Sequence, residues 1–208
     1  MKRLPLFAAL FLTAAASAFS YDAVRLSEND ENYIQPVYHS VQKGDQNIRI
    51  SLGLSIPLNF PDIESLFHED EHQLSIGGMG TLGYHYFVNS CIALGFDVGF
   101  GFNVTIGSHI FNYVPMMFSF TYQPSWRNLE FPLSLNAGVA WESYNNHNYF
   151  PGLVLKPEAG VHYRINENWS LGLDASWMLL PQFCEWYDKG ENYIGQFATL
   201  SLAARYYF

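Results

Sequence analysis

This 208-residue chain is short of charge: Asp, Glu, Lys and Arg together make up only 14% of it, against about a quarter in an ordinary soluble domain. Basic charge is scarcer still, with 10 Lys and Arg against 19 Asp and Glu. A phosphate backbone is held by clustered Lys and Arg, so nucleic acid is excluded as a partner. Long apolar runs are missing as well. Beyond the first twenty residues nothing approaches the ~18 apolar residues that a membrane helix needs. Cysteine is limited to Cys91 and Cys184, whereas aromatics reach 17% and hydrophobic residues 49%, at a mean hydropathy of −0.01. A chain rich in aromatics, poor in charge and without spanning helices must hide its apolar surface another way.

The N-terminus reads as a secretory signal over residues 1–18. Lys2 and Arg3 give a charged start, Leu4 to Leu12 an apolar core, and Ala16-Ser17-Ala18 the small-residue cleavage site. The apolar stretch is too short to span a membrane, and no Cys follows the cleavage site to carry a lipid anchor. Removing Lys2 and Arg3 from the ten basic residues leaves eight against 19 acidic ones, a net charge of −11 with His neutral. Residues 19–45 are polar, with an acidic run from Ser27 to Asn32 and no sustained alternation. This segment is expected to be a periplasmic N-terminal extension, either a loosely ordered tail or a plug-like arm near a lumen mouth.

From Gln46 onward side chains alternate with period two, the mark of a strand with two unlike faces. Ile48, Ile50, Leu52, Leu54 and Ile56 fall on one face, and Asn47, Arg49, Ser51, Gly53 and Ser55 on the other. Ile92 to Asn103 repeats the pattern most clearly, with bulky residues opposed by Ala93, Gly95, Asp97, Gly99 and Gly101. Six more strands are predicted at Leu74–Val88, Asn112–Tyr122, Leu129–Trp141, Leu153–Arg164, Trp169–Trp177 and Tyr193–Phe208. Short connections around Asn89-Ser90, Gln123–Asn128 and Asn166–Asn168 alternate with long ones at Pro57–Gln73, Val104–Phe111, Glu142–Gly152 and Leu179–Asn192. The reading is all-β: an antiparallel up-and-down transmembrane β-barrel of about eight strands over residues 46–208, with short turns facing the periplasm. The strand map puts Cys91 and Cys184 at opposite ends, too far apart for a disulfide.

The two faces are the reverse of a soluble, lipocalin-like barrel, which keeps its apolar face inward. The apolar face here ends in Tyr84, Tyr86, Tyr122, Trp141, Tyr163, Trp169, Trp177, Tyr206 and Phe208, the placement of aromatic girdles at lipid headgroup level. The other face is mostly Gly, Ser, Ala and Asn. Its charged and His residues are Arg49, His85, Asp97, Glu130, Lys156, Glu158, His162, Arg164, Asp174 and Arg205. Charges in a narrow barrel are costly unless paired or hydrated, so this set is read as a lumen polar network. It is either a salt-bridged filling or a polar path for small solutes.

His68-Glu69-Asp70-Glu71-His72 matches the H-E-x-x-H zinc-protease spacing. That chemistry needs both His one turn apart on a helix and a third ligand. The segment lies in a predicted loop with no amphipathic helix around it, so His68 and His72 are weak metal candidates and no cofactor is expected.

The last residues, Ser201-Leu202-Ala203-Ala204-Arg205-Tyr206-Tyr207-Phe208, resemble the C-terminal assembly signal of outer-membrane barrels. Ser201, Tyr206 and Phe208 match that pattern, and Ala203 stands where Gly is common. With the signal peptide and strand map, nearly the whole mature chain resembles the small eight-stranded class typified by OmpW, OmpX and the OmpA membrane domain. The resemblance implies outer-membrane lipids and the barrel-assembly machinery as partners. Its candidate roles are passage of small, including hydrophobic, molecules, or contact with an extracellular partner through long aromatic loops (Phe67, Tyr144, Tyr149, Phe150, Phe183, Trp186, Tyr187). Two barrel families of this size modify lipid A, one with a His-x-Ser pair. No His-x-Ser occurs here, and Ser108-His109 or Ser143 with His147 are mere loop neighbours, so a non-enzymatic barrel is expected.

Overall fold

The computed structural model describes residues 41–59, 74–104, 110–144, 147–182 and 193–208. Among them every regular element is a strand: β1 (Gln46–Asn59), β2 (Gly77–Phe87), β3 (Ile92–Val104), β4 (Ile110–Tyr122), β5 (Ser125–Trp126), β6 (Leu129–Glu130), β7 (Leu133–Tyr144), β8 (His147–Arg164), β9 (Trp169–Gln182) and β10 (Tyr193–Tyr207). The eight long strands pair antiparallel with their chain neighbours, β4 passing directly to β7. β1 also pairs with β10, from Asn47↔Tyr207 to Asn59↔Gln196, which closes the sheet. Closure leaves no edge of unpaired amides, the condition for a sheet to stand in hydrocarbon. The expected all-β, eight-stranded barrel is the fold observed.

Period two decides which residues face out. Leu52 and Leu202, paired across the closing seam, are 68% and 70% exposed, while Arg49 and Arg205 beside them are 1% and 2% exposed. Apolar residues therefore form the outer surface and charges the interior. The outward run of β1 from Ile48 to Ile56 matches the roughly 9–11 residues that a tilted strand needs to cross a bilayer core. Exposed aromatics mark the short-turn rim: Trp169 lies 5.0 Å from Tyr206 between ring centroids, and the Tyr84 hydroxyl donates to Gln46 Oε1 at 2.6 Å.

Three sequence expectations need correction. Glu142–Gly152 is not a long loop. β7 and β8 continue their pairing to Tyr144↔His147, with a register irregularity between Ala140 and Glu142. These outer residues mix polar and aromatic types, so no lipid-facing alternation announces them. The segment Leu129–Trp141 is not one strand: it breaks at Phe131-Pro132, because Pro lacks the N–H a ladder needs. The preceding turn folds back as the β5–β6 pair, around Arg127 at φ 54°. Leu74 and Ile76 precede β2 rather than opening it, and Leu74 packs inward instead of facing lipid.

Residues 41–45 belong to the expected extension and lie against the short-turn end. Gly44 N donates to Phe87 O and Phe87 N to Asp45 O, both at 2.9 Å. Gly44 has φ 102°, a conformation that favours glycine, and it brings the chain round so that Val41 is buried with Phe87, Ala93 and Tyr207. Cys91 is a free thiol. The signal peptide, residues 19–40, His68, His72, Ser108, His109, Phe67, Cys184, Phe183, Trp186 and Tyr187 lie outside the described residues.

Candidate functional site: the filled lumen

All ten charged or His residues assigned to the inner face are buried, none more than 8% exposed. Arg49 is the hub. It donates from Nη2 to Asp97 Oδ2 at 2.8 Å and from Nη1 to Glu158, and Nη1 lies 3.7 Å from Asp174 Oδ2. One side chain on β1 thus engages β3, β8 and β9 across the lumen. Lys156 Nζ meets the other Glu158 oxygen at 2.8 Å. His162 Nε2 is 2.7 Å from Asp174 Oδ1, and His85 Nδ1 is 3.2 Å from Asn47 Oδ1 with its Nε2 3.4 Å from Asp97.

A second group lies at the short-turn end. Arg164 Nη1 donates to Glu130 Oε1 at 2.9 Å, and the Tyr207 hydroxyl donates to Glu130 Oε2 at 2.8 Å. The Arg164 guanidinium sits 4.0 Å above the Tyr207 ring, a cation–π contact. Gln123 joins the group: its Nε2 donates to the Tyr207 hydroxyl at 3.0 Å, and its Oε1 accepts from Arg205 Nη1 at 2.6 Å.

Glycine makes this packing feasible. Gly83 is the cross-strand partner of both Arg49 and Asp97, so Arg49 reaches its carboxylate over a residue without a side chain. A Cβ at Gly83 would occupy the place of Asp97 Oδ1. The same pairing sets Gly95 against His85, Gly160 against Asp174, Gly172 against His162 and Gly101 against Tyr113.

Above the charged layer the lumen turns apolar. Met79, Phe111, Tyr113, Met117, Ala140, Val154, Met178, Leu180 and Phe197 form one buried cluster, with Phe111 and Phe197 stacked at 6.1 Å. The Tyr113 hydroxyl is 2.7 Å from Ser55 Oγ, and Asn103 Nδ2 donates to the Ser55 and Ser75 carbonyls at 3.0 Å. The sequence pattern predicts a small, mixed-charge inner face; its outer half is instead bulky and apolar. Phase would have found these residues. Met79 is in step with His85, Met178 with Asp174, and Phe197 and Tyr207 with Arg205. Gln123 carried no such signal, because it lies just past β4. In an eight-stranded barrel the interior is only wide enough for its own side chains, and here they fill it from the Val41–Tyr207 floor to the Phe197 layer.

A protein-family model, of a treponemal family without a described activity, matches residues 27–206. The chain belongs to that family. An uncharacterised protein of Treponema pallidum is 27% identical over 206 residues, covering 95% of this chain and 93% of its own. Another, from Borreliella burgdorferi, is 26% identical, covering 67% and 74%. Among solved structures the chain is similar to the outer membrane protein OprG of Pseudomonas aeruginosa, with TM-score 0.53 and 10% identity over 81% of this chain and 98% of that one. It is also similar to Neisserial surface protein A, with TM-score 0.52 and 15% identity over 79% and 97%. The barrel is the fold shared with these proteins, and the apolar belt around it is the surface that a membrane-spanning barrel presents to lipid.

Proposed function

We propose that this chain is a non-enzymatic outer-membrane barrel with a closed lumen, acting at the cell surface through the segments that join its strands at the end away from the short turns. The observation carrying this reading is the occupied interior: among the described residues, a buried charged layer around Arg49 and a buried apolar layer around Phe197 lie one above the other across the lumen. On this reading the lumen network is structural, lipid contacts the outward belt, and the assembly machinery reads Ser201, Tyr206 and Phe208. The absence of enzymatic activity is supported by the placement of His162–Asp174. That pair resembles part of a catalytic dyad, yet it is sealed in the lumen, out of reach of a lipid. Proteoliposomes of the full chain are expected to exclude small sugars in swelling assays. Swelling that quickens as the solute shrinks would overturn the closed-lumen reading. Lipid A acyl chains should be unchanged by expression of the chain, and altered acylation would overturn the non-enzymatic one.

One observation favours a second reading, passage of small apolar molecules. β1–β2 pairing ends at Ser55↔Gly77 although β1 runs on to Asn59. Ile56, Pro57, Leu74, Ser75 and Ile76 line a shallow depression there, and Leu74 touches the apolar lumen layer. Faster entry of a fluorescent long-chain alcohol into proteoliposomes than into bare vesicles would favour it.

A further inference from the structure

Among the described residues, Arg205 is a buried cation with no carboxylate at ion-pair distance. Its Nη1 donates to the neutral amide oxygen of Gln123, its Nε has no partner, and no ion pair among the described residues includes it. Its register neighbours sharpen the imbalance. Arg205 pairs with Arg49 on β1 and with Ser170 on β9, and Ser170 pairs with Arg164 on β8. Three guanidinium side chains therefore stand in one cross-strand row with a single hydroxyl among them. Like charges opposite one another repel. Arg49 is answered by Asp97, Glu158 and Asp174, and Arg164 by Glu130.

The same row holds hydrogen-bond donors without acceptors. Among the described residues Arg205 Nε, Ser170 Oγ and Arg164 Nε find no hydrogen-bond partner, and these residues are only 2%, 0% and 7% exposed. Donors on three adjacent strands, two of them cationic, are the donor set of an anion site. The facing carboxylates are committed elsewhere. Glu130 takes Arg164 Nη1 and the Tyr207 hydroxyl; Asp174 engages His162 through Oδ1, while its Oδ2 lies 3.7 Å from Arg49 Nη1 without a hydrogen bond among the described residues. His162, His85, Tyr207 and Lys156 are further titratable groups of the buried network.

We propose that a small monovalent anion, a halide, binds between Arg205, Ser170 and Arg164. The narrow lumen limits the guest to a monatomic ion. Bound there, it answers the Arg205 guanidinium and gives these buried donors an acceptor.

The test uses the full chain folded in detergent, with unfolding followed by loss of the compact, heat-modifiable electrophoretic form. In chloride and bromide the midpoint should lie several degrees above that in gluconate at equal ionic strength, and the gain should saturate with halide. Arg205→Gln removes the charge and should bring the midpoints together. If that variant does not fold, Ser170→Ala, which removes one hydroxyl, should still shrink the difference. Equal wild-type midpoints in all three salts would overturn the proposal, as would a halide gain unchanged in Ser170→Ala. Crystals grown in bromide give a second readout: anomalous scattering between Arg205 and Ser170 supports the site, and an ordered water there overturns it.

Discussion

Arg49 concentrates most of the lumen's electrostatics in one side chain. Replacing it with Met would leave Asp97, Glu158 and Asp174 buried without their shared cation. Breaking a buried pair from one side costs about 3–5 kcal/mol, and Arg49→Met should lower the unfolding free energy in urea by that order. Arg49→Lys keeps the charge but loses the fork that serves several carboxylates at once, so its loss should be smaller. Equal losses for both variants would show that the forked geometry, not charge alone, holds the layer. Gly83→Ala tests the glycine partner directly. Its methyl group meets Asp97 Oδ1, and overpacking of this kind costs about 1–3 kcal/mol; an unchanged urea midpoint would mean that Asp97 has room to move. At this scale much was legible. Phase alone put Arg49, Asp97, Glu158 and Asp174 on the inner face, since every second residue of a strand shares a side. Which of them meet was not legible, because Arg49 and Glu158 are 109 residues apart and join only when the barrel closes.

Among the elements, those that sequence pattern located well are those pressed against lipid. β3 alternates cleanly because each of its outward positions is apolar and each inward one is small or hydrogen-bonded. The outer parts of β7 and β8 escape that constraint and so carried no signal. Their ladder nevertheless pairs Ser143 with Asn148 and Glu142 with Tyr149. Amide exchange in micelles should therefore be slow at Ser143 and Asn148, comparable with Leu153 inside the belt. Exchange at open-loop rates at these positions would contradict the extended hairpin. The β5–β6 turn was missed for a different reason. Trp126 and Leu129 suit a strand by type, and only Pro132 and the left-handed Arg127 force the chain to fold back there.

For the whole molecule, closure of β1 on β10 and filling of the lumen are one event seen from two sides. Closing the seam brings Asn47 opposite Tyr207 and Arg49 opposite Arg205. It thereby completes both the ladder and the charged layer. The expected barrel and its strand count followed from alternation and connection lengths. The two-storey interior did not, because a face that is polar at one end and apolar at the other averages to neither. The central claim is that side chains close this barrel along its length. Single-channel recording in planar bilayers tests it most directly, with insertion verified by the heat-modifiable form of the same proteoliposomes. The account predicts no discrete conductance for the wild-type chain; reproducible steps that scale with salt concentration would contradict it.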